Sequence, residues 1–226
     1  MDPDTDIGGP RDKFPVTNQS AIVGARSDDQ LIRQRAFDTI LTSYWKPVYK
    51  YVRLKWQASN EDAKDLTQGF FANAFEKQHF ASYDATKASF QTFLRTCLDG
   101  YIANERKAAG RLKRGGDMDH YQLDFAAAEA EFSAHASTLT PEDYFQREWM
   151  RELFMAAVEA FRERCVESGR TIHFQLFERY DLNDEAVSYA SLAEEFGLDV
   201  TTVNNYLAAA RRDFRRIVQE KFHEIT

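Results

Sequence analysis

The sequence predicts an all-α protein in which two helical domains are joined by an acidic linker. Apolar residues recur at helical spacing along most of the chain, strand patterns are absent, and capping residues mark the starts of several segments. A hydrophobic content of 43%, with 14% aromatic residues, is ample for two packed cores in 226 residues. We therefore expect helices throughout the ordered part of the chain.

Changes in composition divide the chain into four parts. Residues 1–26 are polar and contain proline and glycine, which predicts a flexible N-terminal tail. A Ser-Asp-Asp-Gln capping box opens the first domain, residues 27–114, which holds three helical segments. Residues 115–139 alternate acidic residues with alanines and aromatics and predict a linker, part of which can be helical. A Thr-Pro-Glu-Asp sequence then opens the second domain, residues 140–226.

Residues 188–216 predict a helix-turn-helix within the second domain. Gly197 can adopt the positive φ at which the first helix must stop. Asp199 or Thr201 can cap the second helix with a side-chain oxygen. The second helix ends in paired arginines.

The two faces of the second helix differ in character. Val203 and Leu207 would face back onto the first helix, where Ala193 leaves room for a close crossing. Side chains on the opposite face can hydrogen-bond with DNA. They are Thr201, Thr202, Asn204, Asn205 and Arg211. An ordinary helical hairpin is the alternative, because such spacing also arises by chance.

Charge is unevenly distributed along the chain. A net charge of −7 opposes tight binding of DNA by the protein alone, since neutralisation of phosphates supplies most non-specific affinity. Basic residues nevertheless form two patches, one at Arg106, Lys107, Arg111, Lys113 and Arg114 and the other at Arg211, Arg212, Arg215 and Arg216. Each patch ends an aromatic-rich helical unit, which favours a nucleic-acid partner, although a solvated helix face gives the same pattern.

Several other classes of protein find no support in the sequence. No run of eighteen apolar residues occurs and the N-terminus has no apolar stretch, so we expect a cytoplasmic protein without membrane insertion. Cys97 and Cys165 are expected to be free thiols. Motifs for nucleotide binding, zinc proteases and serine hydrolases are missing, and the five histidines are scattered. We therefore predict no enzyme activity, no cofactor and no metal site.

Three segments in this order resemble a bacterial RNA polymerase sigma factor of the extracytoplasmic-function class of the sigma-70 family. EDAKDLTQGFF is similar to the polymerase-binding region 2.2, and SFQTFLRTCLDGYIANERKAAGRLKRGG to regions 2.3 and 2.4. SYASLAEEFGLDVTTVNNYLAAARRDFRR is similar to region 4.2. The resemblance covers about residues 30–222.

The resemblance implies partners for particular residues. The partners would be the flap region of core RNA polymerase and a coiled coil of its largest subunit, and the coiled coil would bind Asp62, Asp65, Leu66 and Gln68. The −10 promoter element, duplex and melted, would contact Tyr83, Ser89, Asn104, Arg106, Lys107 and Arg111. The −35 element would contact Thr201, Thr202, Asn204, Asn205, Arg211, Arg212 and Arg215. Promoter melting would need no ATP hydrolysis.

Two departures from the family pattern suggest a form of control. Lys64 and Gly69 stand where acidic residues are frequent, which weakens the acidic surface. Phosphorylation of Thr67, or of Ser59, by a Ser/Thr kinase could restore negative charge; an anti-sigma factor is another possible regulator. A helix-turn-helix regulator that acts without a sigma role, and a helical enzyme or interaction module, stay open as alternatives.

Overall fold

The computed structural model describes residues 21–108, 123–134 and 139–225. All regular structure in these ranges is helical, which confirms the predicted all-α class. A 3₁₀ turn at His79–Ser82 and a π-helical turn at Glu178–Leu182 lie between the α-helices. The α-helices are α1 (Ala21–Gly24), α2 (Gln30–Lys55), α3 (Asn60–Glu76), α4 (Phe90–Ala108), α5 (Phe125–Ala134), α6 (Pro141–Glu167), α7 (Thr171–Phe177), α8 (Tyr189–Phe196) and α9 (Val200–Ile225).

The first core surrounds α2. This helix buries Ile40, Leu41 and Tyr44 against the 3₁₀ turn and helices α3, α4 and α6. The ring of Tyr44 lies 5.5 Å from that of Phe90 and 6.1 Å from that of Trp149. The first core therefore includes residues from the segment that the sequence assigns to a separate second domain.

Helix α6 is shared between two hydrophobic cores. Its first half places Phe145 and Trp149 in the core around α2, whereas Phe161 and Cys165 in its second half pack with α7 and α9. A smaller third core lies between α7, α8 and α9. The predicted boundary at residue 140 differs from this arrangement, because the division between the cores falls in the middle of α6. A helix that begins on the first core and ends on the second leaves no tether at that point.

The predicted acidic linker contains a packed helix. Helix α5 occupies residues 125–134 inside the predicted 115–139 linker, and it buries Phe125 and Ala128 against α2. The ring of Phe125 lies 5.3 Å from the rings of both Trp45 and Tyr49. In the described part of the predicted linker, residues 123–134 and 139, the helical portion is therefore packed on the first core.

Order also begins earlier than predicted. The sequence assigns residues 1–26 to a flexible tail, but residues 21–24 form α1, which buries Ala21 and Ile22 against α2. Ala25 is buried as well. The segment Ala21–Gly24 has four residues, too few to show a helical period, so its packing could not be predicted from spacing. The prediction for residues 1–20 lies outside the described residues.

Candidate nucleic-acid interface

The helix-turn-helix is built from caps at each end of its turn. Ser188 caps α8 by accepting a hydrogen bond from the amide of Ser191 at 3.1 Å. Gly197 ends α8 with a φ of +66°, in the left-handed region that glycine tolerates. Asp199 Oδ1 accepts from the amide of Thr202 at 2.9 Å and caps α9. These contacts confirm the predicted turn and decide for Asp199 rather than Thr201 as the cap.

Helix α9 buries one face and exposes the other. Val203 and Leu207 are fully buried against Leu192 and Ala193 of α8, as the sequence predicts. On the opposite face the exposed side chains are Thr201, Asn204 and Asn205. Amide side chains on the N-terminal turns of such a helix are suited to base edges in a major groove. The exposed set (Thr201, Asn204, Asn205) is called the amide face below.

Two members of the predicted −35 set have intramolecular roles instead. The hydroxyl of Thr202 donates to Asp199 Oδ2 at 2.5 Å and so belongs to the cap. The guanidinium of Arg211 makes two parallel hydrogen bonds to Asp181, at 2.9 and 3.0 Å, and lies 5.1 Å from the ring centre of Tyr180. The hydrogen bonds to Asp181 raise the pKa of Arg211 above its ordinary value. Arg211 therefore ties α9 to the preceding turn, and its contact with DNA phosphates stays a prediction.

The arginines near the end of α9 differ in how far their charges are paired within the protein. Arg212 and Arg215 are exposed on α9. Arg216 pairs with Asp213 at 3.0 Å, and Asp213 also pairs with Arg170 at 3.0 Å. Arg212 and Arg215 are thus the two predicted −35 arginines whose charge faces solvent.

A second exposed basic surface lies at the end of α4. Asn104, Arg106 and Lys107 are all exposed there. Arg106 donates to the carbonyl of Trp56 at 2.7 Å and lies 4.7 Å from the centre of its ring, a cation–π contact. Arg111, which the sequence places in the same set, lies outside the described residues.

The loop before α4 uses its predicted base-contacting residues for structure. The hydroxyl of Tyr83 donates to the carbonyl of Ala88 at 3.1 Å, and the ring of Tyr83 lies 5.3 Å from Phe90 and from Phe93. Ser89 accepts from the amide of Thr92 at 3.3 Å. Tyr83 is half-buried and fixes the loop, so a direct contact with a base would need this packing to change.

The acidic surface on α3 presents two of its four predicted residues. Asp62 and Asp65 are exposed, whereas Leu66 and Gln68 are half-buried and Leu66 packs against the first core. Lys64 pairs with Glu61 at 2.8 Å, which removes part of the negative charge nearby. The geometry leaves Asp62 and Asp65 as the carboxylates open to a basic partner.

The hypothesis of a phosphorylated Thr67 is not compatible with the structure. Thr67 is 0% exposed, and its hydroxyl has no hydrogen-bond partner among the described residues. A kinase needs an accessible hydroxyl, so this assignment is corrected. Ser59 is exposed at the start of α3, where its hydroxyl donates to Asp62 at 2.7 Å, and its phosphorylation stays a prediction. Packing accounts for the glycine at position 69, where the family often has an acidic residue. The hydroxyl of Tyr101 fills the space that a Cβ at this position would take.

Sequence reasoning missed a set of ion pairs between α2, α5 and α6. Glu131, Glu148 and Glu152 lie within 4.8 Å of one another, a spacing found in some metal sites. Here the three carboxylates face Lys46 and Lys50 instead, with Lys46 Nζ at 3.2 Å from Glu131 and 3.0 Å from Glu152. The sequence did contain one indication of these ion pairs: Lys46, Lys50 and Arg53 lie at positions i, i+4 and i+7 of α2, so they share one face of that helix.

Comparison of the chain with protein-family models, with curated proteins and with solved structures finds no match. None of the described helices combines the length and the apolar character that a membrane span requires. Cys97 and Cys165 are free thiols, as the sequence predicts. The function is therefore inferred from the geometry of the chain and from its sequence motifs.

Proposed function

We propose that the protein is a sigma factor of the extracytoplasmic-function class, which binds core RNA polymerase in the cytoplasm and directs it to promoters. The observation that carries the proposal is the amide face, presented by a capped recognition helix next to Arg212 and Arg215. This is the arrangement by which a helix-turn-helix reads bases and holds the flanking backbone. The chemistry of transcription belongs to the polymerase, so the chain needs no catalytic residue of its own.

The amide face supports reading of a −35 element. An asparagine that makes two hydrogen bonds to adenine discriminates against other bases by about 1–3 kcal/mol. Asn204 and Asn205 are exposed on consecutive positions of α9, and Thr201 lies one turn earlier. Arg212 and Arg215 would neutralise phosphates, a contribution that fixes register without reading sequence.

The end of α4 supports contact with the −10 element. Asn104, Arg106 and Lys107 form its exposed polar surface, and Arg106 stacks on Trp56. Aromatic and guanidinium groups together can hold unstacked bases. Extruding a base costs a few kcal/mol, which contacts to the captured strand would offset without ATP.

The acidic surface on α3 supports docking on polymerase. Asp62 and Asp65 are exposed and could meet basic side chains on a coiled coil of the largest subunit. The low affinity for DNA that a net charge of −7 predicts suits a factor that reads promoters only after this docking.

The proposed function requires two parts of the molecule to separate. Promoter elements separated along a duplex require the module around α2 and the module with the helix-turn-helix to move apart. The hydrophobic cores divide between Leu153 and Ala157 of α6, since Leu153 packs with the first core and Ala157 belongs to the second. Opening at this division would leave the first half of α6 on α2 and separate its second half, with α7, α8 and α9, from the first core, with the flap region of the polymerase holding the second module.

In vitro transcription with bacterial core polymerase tests the proposal. The protein is added to core polymerase on genomic DNA fragments and the RNA 5′ ends are mapped. We expect discrete start sites with a shared upstream pair of elements, and loss of these transcripts with Asn204→Ala and Asn205→Ala together. Glu194→Ala, an exposed change on α8 away from the amide face, should leave transcription unchanged. Absence of any specific start site would overturn the proposal.

A helix-turn-helix regulator that acts without polymerase is the second candidate. The observation that favours it is that α9 also contacts α1 and α2, which fixes the recognition helix on the rest of the chain. A regulator needs no separation of modules. Tight and sequence-specific binding of the isolated protein to duplex DNA would support this candidate over the first.

A further inference from the structure

A row of basic side chains runs along the face of α2 that α5 and α6 cover. Lys46, Lys50 and Arg53 occupy positions i, i+4 and i+7 and so lie on one face of the helix. Lys50 is fully buried, which is rare for a lysine and requires paired carboxylates. These three residues are called the basic stripe below. The proposed function uses none of them.

Helix α5 covers the stripe with two carboxylates. Glu131 lies 3.2 Å from Lys46 Nζ and 2.7 Å from Lys50 Nζ. Glu129 binds Arg53 through two parallel hydrogen bonds of 2.7 and 2.9 Å. Burial alone would raise the pKa of Glu131, but Lys50 and Lys46 lower it to about 2. Both carboxylates therefore stay ionised against the stripe at neutral pH.

The charges under α5 balance only while α5 is in place. The stripe and the neighbouring Arg151 supply four positive charges. Helix α6 supplies two negative charges, which pair with Lys46 and Lys50, and α5 supplies the other two. Without α5, two positive charges would face solvent without a counter-charge from the protein. The group that loses its paired carboxylate completely would be Arg53.

The contacts made by α5 are those that a phosphate chain makes. An arginine that binds a carboxylate through two parallel hydrogen bonds can bind a phosphate in the same geometry. Helix α5 itself is ten residues long, too short to be stable in water without packing. It is held by its ion pairs and by Phe125 and Ala128. Exchange of its two carboxylates for two phosphates would keep the charge balance.

We propose that the basic stripe is a nucleic-acid binding surface and that α5 and a nucleic-acid strand occupy it in turn. Helix α5 acts as an internal mimic of the strand and keeps the free protein from binding DNA through this face. The inference goes beyond the proposed function, because the binding requires neither polymerase nor a promoter sequence. Its tests therefore contain neither.

The first test removes the charges of α5 without removing the helix. Glu129→Gln and Glu131→Gln are combined, and binding of a fluorescein-labelled oligothymidine is followed by anisotropy over a range of salt concentrations. Two additional phosphate contacts to a single strand should steepen the salt dependence of log K by about 1.4. At about 0.1 M salt this corresponds to an affinity about 25-fold higher than that of the wild type.

Two further variants isolate the stripe from other basic surfaces. Glu163→Gln with Glu167→Gln on α6, two exposed residues that form no ion pair with a described residue, gives the same change in net charge and should leave the salt dependence as in the wild type. Adding Arg53→Gln to the α5 double variant removes one contact and should lower its affinity about fivefold. An equal salt dependence for the α5 double variant and the α6 control would overturn the proposal.

Hydrogen exchange of the wild-type protein tests the same proposal if the double variant fails to fold. Oligothymidine at concentrations well above those at which the double variant binds should displace α5 by mass action, accelerate exchange of the amides of Phe125–Ala134 and leave α3 unchanged. Unchanged or slower exchange in α5 would refute the displacement. Failure of the transcription experiment, by contrast, would not change the results expected for oligothymidine binding and for hydrogen exchange.

Discussion

Helix α9 separates the residues that stabilise the helix-turn-helix from those that would read DNA, and a pair of substitutions one turn apart tests this separation. Leu207 is 0% exposed and packs with Leu176, Leu192 and Val203 in the small third core. Asn204 lies on the amide face of the same helix and is exposed. Leu207→Ala should therefore reduce stability and Asn204→Ala should not.

The magnitude follows from the size of the cavity that Leu207→Ala would leave. Replacing a buried leucine with alanine costs about 2–5 kcal/mol, the lower values applying where neighbours can close the cavity. The third core is small and near the surface, so we expect about 3 kcal/mol. For a chain of this length, that loss lowers Tm by about 6–12 °C. Asn204→Ala should change the free energy of unfolding by less than about 0.5 kcal/mol.

Urea and thermal unfolding followed by circular dichroism provide the measurement. Transcription or DNA binding is measured on the same two proteins. We expect Leu207→Ala to lose stability and Asn204→Ala to lose function at full stability. A loss below about 1 kcal/mol for Leu207→Ala, or an equal loss for Asn204→Ala, would refute the assignment of the two faces.

Three further predictions concern the first core and its ion pairs. Thr67→Val should stabilise the protein by about 1 kcal/mol in urea unfolding, because it removes a buried hydroxyl without a partner among the described residues; a loss of stability would contradict this. Lys50→Met should cost about 3 kcal/mol, since it leaves buried Glu148 without its nearest cation, and adding Glu148→Gln should recover part of the loss. The pKa of Glu131 is about 2, below its ordinary 4.5, so its contribution is present above pH 4.5 and is lost as pH falls towards 2. Glu131→Gln should therefore flatten acid unfolding over that range, and an unchanged acid profile would exclude the role.

The helix-turn-helix could be predicted because its signals are local. Ser188, Gly197 and Asp199 each act on backbone within three residues, so sequence spacing contains the whole geometry. The faces of α9 follow from the helical period alone. The same argument placed Val203 and Leu207 inside and the amide face outside.

The contacts that the sequence did not predict join residues far apart in the chain. Arg211 pairs with Asp181, 30 residues away, and α5 pairs with α2 across about 80 residues. Alternating acids and alanines predict a linker, because their partners on α2 could not be assigned from the sequence. No single-residue signal distinguishes an acidic linker from an acidic helix that covers lysines.

The burial of Thr67, by contrast, could have been predicted from the sequence. Ala63, Thr67, Phe70 and Ala74 follow the helical period of the buried face of α3, and all four are buried. Helical spacing therefore places Thr67 inside, next to the phenylalanines. The acidic residues that precede it, Asp62 and Asp65, are exposed on the other face of the helix.

Binding to core RNA polymerase is the measurement that tests the proposed function most directly. The labelled protein is titrated with bacterial core polymerase and compared with Asp62→Lys combined with Asp65→Lys, with Glu159→Lys combined with Glu163→Lys as the matched control. We expect saturable binding for the wild type and the control, and strong loss for the α3 variant. Failure of the wild type to bind, or equal binding by all three proteins, would contradict the account.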